Sequence, residues 1–218
     1  MARKKKISEG SIISYYMEYV LTNNNNPISV YSFSKEYNFN EEDFYKLFGN
    51  FDLLEQSIFD IFFKKTINLL KDNNDYLSYG ARNQILSFYY SFFELLTVNR
   101  SYVVYALGPN KNNLNKLKTL KLLKHSFTNY VKELDITLIE VKLDSINNLQ
   151  NTTLKESAWI QFLLTIKFWL EDSSPSFEKT DIFIEKAVNT SFDIMDIKPI
   201  NSIIDLGKFL YKEKSFMN

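Results

Sequence analysis

The stretch "NFNEEDFYKLFGNFDLL" at residues 38–54 decides the fold class of this 218-residue chain. Its aromatic residues recur at the spacing of a short helix that packs on a small core, at Phe39, Phe44 and Phe48. Asn40 is a candidate N-cap for a helix over 41–48, and Asp43 stands where the acid of a capping box reaches back. The outward first turn of this helix is acidic, because it consists of Glu41, Glu42 and Asp43.

Two further helices are predicted before this stretch. Ile7–Thr22 carries an apolar stripe at helical spacing and ends in four asparagines and Pro27. Ser29 is a candidate N-cap for a short helix over Val30–Tyr37. Only about three residues separate that helix from the next, which is the arrangement of a helix-turn-helix. In the turn, Asn38 can adopt the left-handed conformation that glycine usually supplies.

The remainder of the chain is predicted to be helical as well. Only 5 Gly and 4 Pro leave few hairpins, and the asparagine clusters near residues 23, 72, 110 and 147 are predicted connections. A long helix begins at Asp52 and is apolar almost all round, so several neighbours must bury it. The other predicted helices cover 81–98, 100–107, 112–134, 136–149, 152–171, 177–195 and 200–213. The fold class is therefore all-α.

Composition excludes several kinds of site. The chain has no cysteine, one histidine (His125) and no glycine-rich phosphate loop, so we expect neither an enzyme nor a bound metal or cofactor. Lys plus Arg and Asp plus Glu number 26 each, so any electrostatic attraction to nucleic acid must be local. No signal peptide and no apolar run of membrane-spanning length are seen. We expect a cytoplasmic protein without stable membrane insertion.

Residues 12–54 resemble the tetracycline-repressor (TetR) family of transcriptional regulators without a gap. The resemblance lies in Ile12-Ile13 and Val20, in Ser29-Val30 and Phe33-Ser34, in the Tyr45 to Phe48 spacing, and in Asp52-Leu53-Leu54. It implies an N-terminal three-helix unit that binds duplex DNA, followed by a helical bundle that dimerises and binds a small apolar ligand. The implied division is a DNA-binding domain over residues 1–50 and a ligand-binding and dimerisation domain over 51–218.

Candidate DNA contacts follow from this resemblance and from charge. Family members commonly meet phosphates at the positions of Ser29 and Tyr45, although a cap and a partly buried aromatic are equally good explanations here. The basic arm before the first helix either neutralises phosphates or serves as a solubilising tail. The candidate contacts are Arg3, Lys4, Lys5, Lys6, Ser29, Asn40, Glu42, Tyr45 and Lys46.

The same unit departs from the family in its charge. Residues 7–50 carry two lysines and six acids, a net charge of −4, and Phe51 replaces the family's usual phosphate-binding lysine. With the basic arm included, residues 1–50 balance at zero. A carboxylate accepts a hydrogen bond from cytosine N4, but only neighbouring cations make its approach to DNA tolerable. We expect weak or non-specific DNA binding from this unit.

A second resemblance covers "FWLEDSSPSFEKTDIFIEK" at residues 168–186, which is similar to the ubiquinone-biosynthesis lipid-binding proteins of TetR-type fold in Trp169, Asp172, Ser174, Pro175, Thr180 and Phe183. Here a corner joins two long helices, with Ser174 or Ser176 as the predicted cap. In TetR-type proteins such helices form the dimer. The candidate interface residues are Leu163, Ile166, Trp169, Phe183 and Val188.

The C-terminal part is rich in aromatic residues, which suit either an ordinary core or a pocket for an apolar ligand. The candidate pocket residues are Phe88, Phe92, Tyr102, Tyr105, Phe127, Tyr130, Trp159 and Phe162. Arg82, Arg100 and Lys167 are candidate cations for an anionic head group. Two functions follow from the two resemblances: a ligand-responsive TetR-like regulator, or a TetR-fold hydrophobe-binding protein that has lost sequence-specific DNA binding.

Overall fold

A computed structural model describes residues 7–108, 112–136 and 144–195 of the chain. Every regular element in these ranges is a helix, so the all-α prediction is confirmed there. The helices are α1 (Glu9–Asn23), α2 (Val30–Glu36), α3 (Glu41–Tyr45), α4 (Phe51–Lys71), α5 (Asn74–Ser78), α6 (Ala81–Val98), α7 (Arg100–Leu107), α8 (Asn113–Thr119), α9 (Lys121–Glu133), α10 (Asp144–Glu171) and α11 (Glu178–Met195). A single 3₁₀ turn, Pro175–Phe177, precedes α11. None of these helices combines the length and apolar content that crossing a bilayer requires.

Local capping explains where the N-terminal helices begin. Ser29 caps α2 as predicted, because its hydroxyl accepts from the Ser32 amide at 3.1 Å. The capping box predicted for α3 is wrong: Asn40 makes no side-chain bond to the backbone, and its amide instead donates to the Asp43 carboxylate at 3.4 Å. The helix is also shorter than predicted and ends at Tyr45.

The connection between α2 and α3 depends on a left-handed residue. Asn38 has φ 54°, as its place in the turn predicted. The following Phe39 amide donates to the Ser34 carbonyl at 3.0 Å, which fixes the chain as it leaves α2. The two short helices are therefore held in a tight pair, with Phe39 and Phe44 both buried.

One phenylalanine forms the centre of the three-helix core. Phe33 is fully buried, and its ring lies within 5.1–6.3 Å of the rings of neighbours on α1, on the connection between α2 and α3, and on α4. These neighbours are Tyr16, Tyr19, Tyr37, Phe39 and Phe51. Large buried aromatic side chains remove much apolar surface from water, so this cluster stabilises an otherwise small unit.

Three predictions in the C-terminal part are wrong. The helix predicted over 112–134 is interrupted at Leu120 and forms α8 and α9. The connection predicted near residue 147 is absent, since α10 runs unbroken from Asp144. The short helix α5 occupies part of the cluster at 72–75, where a connection was predicted. Most of the segment 136–143 and all of the helix predicted over 200–213 lie outside the described ranges.

The chain divides into two compact units. Unit 1 contains residues 1–72 and 91–129, and unit 2 contains residues 73–90 and 130–218. Helices α6 and α9 each belong partly to one unit and partly to the other. These compact units are not the same as the functional domains predicted over residues 1–50 and 51–218. That functional division stays a prediction.

Candidate functional site

The acidic first turn of α3 lies on the surface of unit 1 and binds a lysine of its own helix. The Glu42 side chain is 77% exposed, and Lys46 Nζ lies 2.8 Å from its carboxylate and 3.3 Å from that of Asp43. Hydrogen bonds to Glu42 and then to Asp43 raise the pKa of Lys46, so the ammonium stays protonated. One of the two lysines in residues 7–50 is therefore already held by carboxylates.

The other predicted DNA contacts within the described ranges are also at the surface. Ser29 and Asn40 are exposed, and the Ser29 hydroxyl is engaged in the cap of α2. Tyr45 is 53% exposed, and its ring stands edge-on to Phe44 at 5.6 Å, which leaves its hydroxyl end accessible. Unit 1 therefore presents Ser29, Asn40, Glu42, Tyr45 and Lys46 to solvent, whereas Arg3, Lys4, Lys5 and Lys6 lie outside the described residues.

The eight predicted pocket aromatics fall into two groups. Phe92, Tyr102, Tyr105 and Phe127 belong to unit 1, where all but the half-buried Tyr105 are buried. Phe88, Tyr130, Trp159 and Phe162 belong to unit 2, and all four are buried. The unit 2 rings touch one another, with centroid distances of 5.2 Å for Phe88–Tyr130, 6.0 Å for Phe88–Phe162 and 5.6 Å for Trp159–Phe162. Their arrangement is that of a packed aromatic core.

Two tyrosine hydroxyls provide polar anchors beside this aromatic group of unit 2. The hydroxyls of Tyr76 and Tyr130 are 2.9 Å apart, and Tyr130 also donates to the Gln84 carbonyl at 3.1 Å. Burial, followed by the hydrogen bond with Tyr76, raises the pKa of Tyr130, so its phenol stays protonated. Both hydroxyls are thus satisfied inside an otherwise apolar environment.

A polar cluster in unit 1 was missed by the sequence reasoning. Glu55 of α4 is buried, and its Oε1 accepts from Tyr16 Oη at 2.5 Å and from Asn26 Nδ2 at 3.3 Å. Asn26 Oδ1 in turn accepts from Tyr105 Oη at 2.6 Å. Burial, and then the charge of Glu55, raises the pKa of Tyr16. One signal for this cluster was present in the sequence. Glu55 is an acid in a helix whose apolar residues require burial on nearly every side.

A groove of about 280 Å³ is present in unit 2. It is lined by residues of α6, α11 and the segments that precede α6 and follow α9: Gly80, Ala81, Arg82, Asn83, Asp135, Ile136, Phe192 and Met195. Arg82, a predicted anion-binding cation, pairs with Asp193 at 2.8 Å and stacks over Phe192 at 5.4 Å. Its guanidinium is therefore engaged by an acid and an aromatic ring of the same unit.

The helices predicted to dimerise pack together within unit 2 and leave an apolar face outward. Phe168 and Phe183 stack at 4.6 Å and join α10 to α11. Of the predicted interface residues, Leu163 and Phe183 are partly exposed, whereas Ile166, Trp169 and Val188 are buried within the single chain. Three apolar residues of the same two helices, Ile160, Leu164 and Ile182, are each a little more than half exposed.

An aspartate holds the corner between α10 and α11. The Asp172 carboxylate accepts four hydrogen bonds, from the amide and hydroxyl of Ser174 and the amide and hydroxyl of Thr180, at 2.7–3.0 Å. Burial acts to raise the pKa of Asp172, but these four bonds outweigh it and hold the pKa at about 2. Of the two predicted caps, Ser176 instead has φ 51°, whereas the Ser174 hydroxyl accepts from the backbone amide of Lys179 in the first turn of α11 at 3.2 Å.

Within the described part of the chain, no group of three or more histidine, cysteine or acidic side chains is placed to hold a metal ion. His125 is exposed, and its ring Nε2 lies 3.1 Å from the Asn129 side-chain amide on the same helix. This contact engages the imidazole in a local pair on the surface of α9.

More than half of the chain matches a protein-family model. A family model described as "Tetracyclin repressor-like, C-terminal domain" matches residues 84–210, which is more than half of the chain. No curated protein matches the sequence. The matched region runs from α6 through α11 and includes the corner at Asp172.

Proposed function

The chain belongs to the tetracycline-repressor-like (TetR) family and has its all-α fold, and from this premise we propose that it is a homodimeric transcriptional regulator. The proposal assigns duplex DNA to residues 1–50 and a small apolar ligand, together with the dimer contact, to residues 51–218. The family match over residues 84–210 is the observation that carries it. As a regulator of transcription, the protein would act in the cytoplasm.

The DNA-binding part of the proposal is supported by the helix pair α2–α3 and by its surface. Ser29 and Tyr45 stand exposed at the positions where family members meet phosphates. Because Lys46 is held by Glu42 and Asp43, we assign most of the favourable electrostatics to the basic arm Arg3–Lys6. Binding driven by such an arm depends strongly on salt and weakly on base sequence.

The ligand-binding part of the proposal is supported by the buried aromatic groups of both units. Sites for hydrophobic small molecules are mostly apolar with few polar anchors, and these buried aromatic side chains are the residues that would line such a site. Ligand binding would act by shifting the population between two dimer states that hold the DNA-binding units at different separations.

The dimer part of the proposal is supported by the outward face of α10 and α11. Ile160, Leu164 and Ile182 expose apolar side chains beside Leu163 and Phe183. Two such faces, related by a twofold axis, form a four-helix contact that removes this surface from water.

A mobility-shift assay tests the DNA-binding proposal. The full chain is titrated onto duplex DNA from upstream of its own gene at two salt concentrations. The variant K4Q/K5Q/K6Q removes three charges from the basic arm, and K65Q/K71Q/K132Q removes three from exposed helix positions as the matched control. We expect the arm variant alone to lower the salt slope by about 2 to 3, since each neutralised phosphate contributes about 0.9. If the natural chain gives no salt-sensitive shift, the proposal that it is a DNA-binding transcriptional regulator is rejected.

The charge of α3 favours a second candidate function. Three consecutive acids on the surface that should approach DNA are unfavourable for phosphate binding, and a net charge of −4 over residues 7–50 adds to this effect. A TetR-fold protein that binds lipid or another hydrophobe without reading DNA accommodates these acids. Native mass spectrometry of the purified chain distinguishes it, because a carrier retains a hydrophobic molecule and shows no DNA complex.

A further inference from the structure

The carboxylate of Glu55 is buried without a cation beside it in the described part of the chain. Glu55 is 8% exposed, and its two hydrogen-bond donors, Tyr16 Oη and Asn26 Nδ2, are both neutral. No lysine or arginine in the described ranges forms an ion pair with it. Buried carboxylates are normally paired, because removing an ionised group from water is costly. Glu55 therefore lacks the cation that normally pairs with a buried carboxylate.

A second buried polar group packs against the same stretch of α4, since the Tyr102 ring lies 6.1 Å from that of Phe59, one helical turn after Glu55. The Tyr102 side chain of α7 is 1% exposed, and its hydroxyl has no hydrogen-bond partner. Burial first and the charge of Glu55 second raise the pKa of Tyr102 well above its usual range, so the phenol keeps its proton. An unpartnered buried hydroxyl is uncommon in folded proteins and calls for a binding partner.

The surroundings of both groups are aromatic. The Tyr102 ring centroid lies 6.1 Å from that of Phe59 and 6.5 Å from that of Tyr105, and the Tyr16 ring stacks on Phe51 at 5.6 Å. Aromatic faces attract cations through their quadrupole, and the attraction grows when the cation leaves water. A carboxylate, a phenol and several aromatic faces together suit an ammonium group, whereas an anion is repelled by Glu55.

We propose that Glu55 and Tyr102 form the polar end of a binding site for a ligand that carries a protonated amine on an apolar body. The amine N–H groups donate to the Glu55 carboxylate and to Tyr102 Oη, and the apolar body packs on the neighbouring rings. This inference rests on the proposed ligand-responsive function and specifies the chemical class of its ligand.

The position of Glu55 also links such a ligand to the N-terminal helices. Tyr16 belongs to α1 and Asn26 to the segment between α1 and α2. Both side chains donate a hydrogen bond to Oε1 of Glu55. An amine that binds Glu55 competes with these two donors for the same carboxylate. Ligand binding would thereby change the contacts that hold α1 against α4.

Isothermal titration of the full chain without DNA tests the proposal with three probes of one skeleton: 4-phenylbutylamine, 4-phenylbutan-1-ol and 4-phenylbutyrate. We expect the amine to bind about tenfold more tightly than the alcohol, since a hydrogen bond to a charged group contributes about 1.4 kcal/mol or more. The carboxylate probe should bind most weakly. Glu55→Gln should abolish the preference for the amine, and Tyr102→Phe should reduce it. Tyr89→Phe, which removes a buried hydroxyl from unit 2, is the matched control and should leave it unchanged.

Several outcomes overturn the proposal. Equal affinity for amine and alcohol, an amine preference that survives Glu55→Gln, or no binding of any probe each reject it. Equal affinity is also the result expected if Glu55 and Tyr102 hold only a water molecule. Circular dichroism confirms that each variant is folded before titration. The titration contains no DNA, so it remains valid even if the chain does not bind DNA. If the amine preference is absent, the result of the mobility-shift assay is unaffected.

Discussion

Replacing Asp172 with alanine should destabilise the corner between α10 and α11. The substitution removes all four hydrogen bonds that the carboxylate accepts from Ser174 and Thr180. Loss of an N-capping side chain costs about 0.5–2 kcal/mol, and we expect about 2 kcal/mol because the same carboxylate also fixes the preceding turn. For a chain of this size, about 2 kcal/mol lowers the melting temperature by about 4–8 °C.

The effect of Asp172 should depend on pH in a defined direction. Its hydrogen bonds hold the pKa at about 2 in the folded chain, compared with 3.8 for an ordinary aspartate. Because the folded pKa is the lower one, the unfolded state binds the proton more tightly, and stabilisation by Asp172 is fully present only above the unfolded value. The difference in stability between the natural chain and Asp172→Ala should therefore shrink below pH 3.8 and vanish near pH 2.

Thermal unfolding from pH 2 to pH 7, followed by circular dichroism and tryptophan fluorescence, measures both effects. Trp169 is fully buried and lies 5.8 Å from Phe177, so its emission reports on the corner. Asp181→Asn is the matched control. Burial first, and then the charges of Asp172 and Glu178, raise the pKa of Asp181, so removing its charge should not destabilise the chain at pH 7. An Asp172→Ala variant that melts with the natural chain at pH 7, or that stays equally destabilised at pH 2, refutes the reasoning.

Three further substitutions test the core, the DNA-facing surface and the dimer face. Phe33→Ala should cost about 3–5 kcal/mol in urea unfolding because it empties the centre of the three-helix core, and a cost below 1 kcal/mol contradicts that packing. Glu42→Gln should raise duplex affinity about two- to fivefold at low salt in a mobility shift, with an unchanged melting temperature; no gain means that α3 does not approach DNA. Leu164→Lys should reduce the mass measured by light scattering from two chains to one, of 25.8 kDa, whereas the control Leu114→Lys on exposed α8 should not. If the Leu164→Lys variant still has the mass of two chains, the proposed dimer face is excluded.

Local signals in the sequence predicted the N-terminal helices well. The cap at Ser29 and the left-handed turn at Asn38 depend on a few neighbouring residues, so both could be recognised without knowledge of the fold. The inward aromatics Phe39, Phe44 and Phe48 were recognisable by their spacing and are all buried. The acidic turn of α3 was visible as well, but its capture of Lys46 required the side-chain positions.

Tertiary effects account for what the sequence did not show. Asparagines near residue 147 weaken a helix by only about half a kcal/mol each, which the packing of a 28-residue helix overrides, so α10 continues through them. No glycine or proline marks the break between α8 and α9 at Leu120, and Leu120 itself is buried. Tyr102 reaches the part of α4 that carries Glu55 only because α7 packs on α4 through Phe59 in unit 1, and no sequence spacing connects residues so far apart.

The ion pairs of Lys46 have a consequence for how salt should act on this protein. A phosphate that takes the Lys46 ammonium must displace Glu42 and Asp43, which lie 2.8 Å and 3.3 Å from it. Cations leave the DNA as the lysine arrives, but the two liberated carboxylates attract cations from solution in return. This uptake offsets part of the release, so Lys46 should contribute less than an unpaired lysine to the salt slope even where it touches DNA. A salt titration of this protein should therefore undercount the lysines that its own acids already hold.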